Sequence, residues 1–139
     1  MVPGVTGKHE FEPLSYAVLG ACIDVQRQLG VHCREVDYHR ALEAALAERG
    51  LHCEREVEVP VSYGDRVVAA LKVDFRVWDN RDELLVEVKA RARLSREDGE
   101  QCIRYLQWGR YRVCLLINFG ERPFGRRRFV YTPPEVAMR

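Results

Sequence analysis

Apolar residues recur along this chain with two different periods, and the places where the period changes mark out its elements. Leu14, Val18, Cys22, Val25 and Leu29 fall three or four residues apart, the spacing that lines one face of a helix, and Gly30 suits its C-terminal cap. A second helix is expected from about Arg34 to Arg49, with a stripe through Tyr38, Ala41, Leu42, Ala45 and Leu46 that stops at Gly50. The period then drops to two. Val57, Val59 and Val61 alternate with Glu56, Glu58 and Pro60, Tyr63-Gly64-Asp65 turns the chain, and Val67 to Trp78 continues as the second strand of an antiparallel hairpin. The turn residues Asp79-Asn80-Arg81-Asp82 precede a third strand, Leu84 to Ala90. Ser95 can cap a helix reaching about Trp108, with Glu97 and Asp98 in its first turn. Tyr111 to Asn118 is a nearly continuous apolar run, as in a strand covered on both faces, and Phe129-Val130-Tyr131 adds an edge strand before Pro133.

The order α-α-β-β-β-α-β predicts an α/β fold with a mixed sheet flanked by helices, in which the Ser95 helix makes a right-handed crossover. The 139 residues suit one domain, expected over 13–139 behind a loose arm at 1–12 that contains Pro3, Gly4 and Gly7. A composition of 47% hydrophobic and 31% charged residues is globular rather than disordered. Five cysteines without CxxC spacing argue against a disulfide framework or a zinc knuckle, so reduced thiols serve as small hydrophobes. Nothing resembles a secretion signal or a membrane span, and a cytoplasmic protein without membrane partners is expected.

With 22 basic and 21 acidic residues, net charge predicts neither affinity for nucleic acid nor its absence, so any basic surface must be local. Two clusters qualify, Arg126-Arg127-Arg128 and Arg91, Arg93 and Arg96, although a solvated charge run is the commoner explanation of each. His9, His32, His39 and His52 show no ligand spacing.

Candidate chemistry centres on the second and third strands. Alternation puts Val73, Phe75 and Val77 on one face and Lys72, Asp74 and Arg76 on the other, while Leu85, Glu87 and Lys89 share a face of the next strand. Counting back from a turn centred on Asn80-Arg81 sets Asp74 directly across from Glu87, a register that a one-residue slip would destroy. Two opposed carboxylates repel unless a proton or a cation lies between them, and Mg²⁺ is the natural partner. Lys89 would project beside that metal, placed to orient a water and to neutralise charge on a phosphodiester. Taken alone, an ExK pattern on a strand is more often an exposed stripe with ordinary ion pairs. Gln101 and Tyr105, one turn apart on the next helix, can look onto the same site, although helix packing explains them equally well. Glu35, three residues before Tyr38, lies along the core-facing stripe of the second helix and can add a carboxylate at the rim or simply favour the helix dipole.

Taken together, Asp24-Val25-Gln26-Arg27-Gln28-Leu29-Gly30, Glu35 and Tyr38, Asp74, Glu87-Val88-Lys89, Gln101 with Tyr105, and Leu115-Leu116-Ile117-Asn118-Phe119-Gly120 resemble the GxxExxY protein family. That family is a RecB-like branch of the PD-(D/E)XK nuclease superfamily, and the likeness runs from about Leu14 to Gly120. It implies a restriction-endonuclease-like fold. It also implies metal ligation by Asp74, Glu87 and the Val88 backbone carbonyl, a catalytic Lys89, and supporting roles for Glu35, Gln101 and Tyr105. The glycine that names the motif is His32 here, and the proline expected before it is Val31.

The expected function is therefore Mg²⁺- or Mn²⁺-dependent hydrolysis of a nucleic-acid phosphodiester, DNA being favoured, by a water activated at the metal. The alternative is a nuclease-fold module that binds or assembles without turnover. A homo-oligomer is compatible with either. A glycosidase fits less well, because cross-strand acids leave little room for a sugar.

Overall fold

In a computed structural model that describes residues 12–134, the chain forms three helices and five strands. The expected arm lies outside the described residues except for Glu12, which already belongs to the first helix, and His9 lies outside them too. The elements are α1 (Glu12–Leu29), α2 (Glu35–Glu48), β1 (His52–Tyr63), β2 (Arg66–Trp78), β3 (Glu83–Lys89), α3 (Arg96–Gly109), β4 (Val113–Asn118) and β5 (Gly125–Val130).

Their ends follow local chemistry. Gly30, at φ 71°, donates to the Gln26 carbonyl at 2.8 Å, a left-handed residue closing α1 as glycine can without strain. Before α3, Ser95 Oγ accepts from the Asp98 N–H at 3.3 Å while Asp98 Oδ2 accepts from the Ser95 N–H at 2.9 Å, a reciprocal cap. The β2–β3 turn is pinned by Asp79 Oδ1, which accepts the Arg81 and Asp82 N–H groups at 2.8 and 2.7 Å. With that turn fixed, Trp78 pairs with Glu83 and Phe75 with Val86, the register obtained by counting back from Asn80-Arg81.

The strands form a single sheet in the order β1-β2-β3-β4-β5. β3 and β4 are parallel and joined through α3, and every other neighbouring pair is antiparallel. One face carries α1 and α2 over Phe75, Val77, Leu84, Val86, Val88, Val113, Leu115 and Ile117. The other carries α3, whose Cys102, Tyr105 and Leu106 pack on Val59, Val73, Leu85, Cys114 and Leu116. All six residues of β4 are buried, as a strand covered on both sides requires. Among the described residues no helix is long and apolar enough to cross a membrane, and all five cysteines are free thiols.

Two expectations need correction. Val73 does not share a face with Phe75 and Val77: it packs under α3, whereas they pack under α1 and α2. Alternation breaks between Val73 and Phe75, where Glu56 on β1 takes a left-handed φ of 55° and drops out of the pairing between Arg55↔Phe75 and Val57↔Val73. The ribbon rolls over at that point, and Asp74 sits in the roll. The last strand also starts earlier than Phe129, at Gly125, because the three arginines form an edge strand, where charged side chains reach water from either face.

Candidate active site

β2 and β3 pair regularly only as far as Phe75↔Val86. At the next step side chains replace the ladder: the Asp74 N–H donates to Glu87 Oε1 at 3.2 Å, and the Val88 N–H donates to Asp74 Oδ2 at 2.8 Å. The strands are thus parted there and bridged by the two carboxylates, one from each strand. Asp74 and Glu87 stand opposite one another, but the Asp74 carboxylate lies in the gap between strands rather than squarely on the Glu87–Lys89 face.

Glu87 is almost wholly buried. Lys89 Nζ lies 3.2 Å from Glu87 Oε2, and the Tyr105 hydroxyl, which also donates to the Lys72 carbonyl at 3.1 Å, reaches the same oxygen at 3.3 Å. Burial, reinforced by the neighbouring Asp74 charge, pushes the Glu87 carboxyl up to about 7 against the pull of Lys89. Burial and the Glu87 and Asp74 charges also raise the Tyr105 phenol, which therefore stays a neutral donor. Beyond Lys89 a cleft of about 410 Å³ opens, lined by Arg91, Asp98, Gln101 and Arg104 among others. Gln101 thus faces the cleft and Tyr105 the acid.

From the opposite face α2 brings His39 against Asp74. This corrects the expectation that no histidine joins a ligand cluster: His39, Glu35 and Asp74 each offer one ligand atom, all within 4.8 Å of one another. Glu35 and His39 are four residues apart on a helix, a spacing that stacks them, but the third member comes from β2 and is invisible along the chain. Glu35 itself is half exposed beside His39, at 3.7 Å, and does not face the core as its spacing suggested. His39 Nε2 is buried, 3.4 Å from Asp74 Oδ2, yet neither carboxylate is aligned to hydrogen-bond it. Asp74 above all, and Glu35 less, raise the imidazole pKa against the opposing effect of burial.

An orphaned nitrogen facing two carboxylates fits a cation. When Nδ1 accepts from Arg55 Nη2, 3.4 Å away, the proton sits on Nε2 and faces the carboxylates without an aligned acceptor. A divalent ion would satisfy the nitrogen instead: Asp74, His39 and Glu35 would hold it, with Glu87 beside Asp74 as a further oxygen donor, and Arg55 would have to withdraw. The Val88 side chain is in the core, and its N–H is the group that holds Asp74 in place.

Two further residues were not singled out by sequence for the roles they play. Tyr38 stacks on Phe119 at 4.8 Å, donates to the Gly30 carbonyl at 2.6 Å and accepts from the Cys33 N–H at 3.3 Å, so it clasps the loop that contains Val31 and His32. Asn118 is fully buried at the end of β4. Its Oδ1 accepts from the Arg91 and Gly120 N–H groups, and its Nδ2 donates to the Arg91 carbonyl and to Glu121 Oε2. That tie fixes the segment leaving Lys89. A polar side chain ending an apolar strand is the signal that marks it.

A mixed sheet flanked by helices, with acids and a lysine where β2 and β3 part, is the restriction-endonuclease-like fold of metal-dependent nucleases. Residues 12–129 match the model of the PD-(D/E)XK nuclease superfamily, and the chain belongs to that superfamily. Its fold is similar to that in the crystal structure of SSO0001, with a TM-score of 0.55 at 16% identity over 99% of this chain and 67% of that one. No curated protein matches it.

Proposed function

We propose that this protein hydrolyses nucleic-acid phosphodiester bonds with Mg²⁺ or Mn²⁺, and that it is a GxxExxY-type member of the RecB-like branch. The observation that carries the reading is the Asp74–Glu87 pair at the parting of β2 and β3, with Lys89 Nζ 3.2 Å from Glu87. A divalent cation there supplies a charge that polarises a phosphate oxygen and makes water a better nucleophile. Lys89 orients that water and offsets charge developing on the phosphate. Tyr105 holds Glu87 from behind, and Gln101 offers its amide to the phosphate from the wall of the cleft. The Glu35, Tyr38, Gln101 and Tyr105 positions support the branch assignment.

Purified protein should cut DNA or RNA only with Mg²⁺ or Mn²⁺ added, and Lys89→Ala should abolish cutting while leaving the thermal melt intact. Equal cutting by the variant rejects the role of Lys89. Calorimetric titration with Mn²⁺ tests the site itself: uptake lost in Asp74→Ala supports the enzyme, and no uptake by the parent supports a nuclease-fold binding module instead.

A further inference from the structure

The two arginine clusters separated along the sequence come together beside the candidate site. Arg93, from the loop after β3, and Arg126 and Arg127, from β5, line one open groove of about 330 Å³. Arg91, two residues before Arg93, lines the Lys89 cleft, so the loop that Asn118 ties down has one arginine in each depression. The sheet sets the distance between them. Glu87 pairs with Leu116 and Leu116 with Arg127, so all three occupy one row across β3, β4 and β5. Directly paired residues share a face, and Leu116 packs under α3 as Glu87 does through Tyr105. Arg127 therefore leaves the sheet on the face of Glu87, two strand spacings or about 10 Å away.

The chemistry of the groove is unbalanced. Many arginines of this chain are paired, Arg34 with Asp37, Arg49 with Asp24, Arg76 with Glu83 and Arg91 with Asp98. Arg93, Arg126 and Arg127 are exposed and enter no ion pair among the described residues. The one acid on the wall, Glu121, already accepts from Asn118 at 2.7 Å. Arg126, paired with Ile117, turns to the other face with its guanidinium 6.0 Å over the Phe124 ring, so Arg93 and Arg127 are the two guanidinium groups left without counter-charges beside the groove. Such a pair suits an anionic polymer, and the fork of donors on each matches phosphate oxygens.

We propose that this groove holds the phosphodiester backbone of the nucleic acid one or two nucleotides from the bond positioned at Asp74, Glu87 and Lys89. The strand passes from the Lys89 cleft across loop 90–95 and over the edge strand β5. This rests on the nuclease reading and adds to it the side on which the substrate lies.

The test uses Lys89→Ala protein, so that the probe stays intact, and a fluorescent single-stranded DNA or RNA oligonucleotide read by anisotropy. Adding Arg93→Glu and Arg127→Glu should weaken binding by about tenfold or more and make it less steeply salt-dependent, by about 0.7 in the log–log slope for each phosphate no longer neutralised. Arg93→Lys with Arg127→Lys, which keeps the charge, should restore most of the affinity. Mn²⁺ uptake and the melt should be the same in all three proteins. Unchanged oligonucleotide affinity in the charge-reversed protein overturns the groove and leaves the nuclease reading standing. Failure of the Lys89→Ala protein to bind either oligonucleotide, with Mn²⁺ uptake intact, overturns both.

Discussion

Glu87 holds its carboxyl in a place that resists charge, with 5% of the side chain exposed and a second acid opposite. Its proton is held up to about 7 in the fold against 4.5 in an open chain, so folding takes up a proton between those values. The sign follows: the contribution is fully present below about 4.5 and is lost as the pH rises to about 7. Denaturant midpoints measured in a chelator should therefore fall across that interval, and Glu87→Gln should flatten the fall. A parent midpoint that climbs instead would contradict the burial. Metal uptake runs the other way, tightening as the pH passes about 7, because ligation needs the ionised acid. Tyr105→Phe removes a donor shared by Glu87 and the Lys72 carbonyl and should cost about 1 kcal/mol in urea unfolding, since the carbonyl and the acid lose a neutral partner.

At the scale of the element, the roll in the β1–β2 ribbon positions Asp74. Glu56 pays for that roll with a left-handed backbone, unfavourable by about 1 kcal/mol for a residue with a Cβ. Glu56→Gly should therefore raise stability by up to about that amount, read as a higher urea midpoint with the same slope; a loss would mean the strain is relieved elsewhere. The β3–α3 and β4–β5 connections are tied the opposite way, by close approach of their backbones. Any Cβ at Gly120 would collide with the Arg91 backbone, so Gly120→Ala must push the loop off. We expect it to cost about 2 kcal/mol or more in the same unfolding measurement. The helices, the Gly30 end of α1 and the Ser95 cap of α3 were legible in the sequence because capping and a 3.6-residue period are local. The face of Val73 was not, because the roll depends on a partner strand.

For the whole molecule, two layers of helices press a five-stranded sheet whose central strands are dry, and the candidate site lies where two of those strands part. A ligand that binds only the folded state adds its binding energy to stability, about 2.7 kcal/mol at a hundredfold excess over Kd. Saturating Mn²⁺ should thus raise the melting temperature of the parent and not that of Asp74→Ala, and an equal rise in both would place the ion elsewhere. By itself the sequence determined the order of elements, the β2–β3 register and the Asp74, Glu87 and Lys89 set. Each of these rests on spacing, turn chemistry or alternation between residues close along the chain. Only the tertiary structure brought His39 to Asp74, tied Asn118 to the segment after Lys89 and gathered Arg93 with Arg126 and Arg127. Those pairings join residues tens of positions apart, and their meeting is set by how helices and strands pack rather than by any local preference.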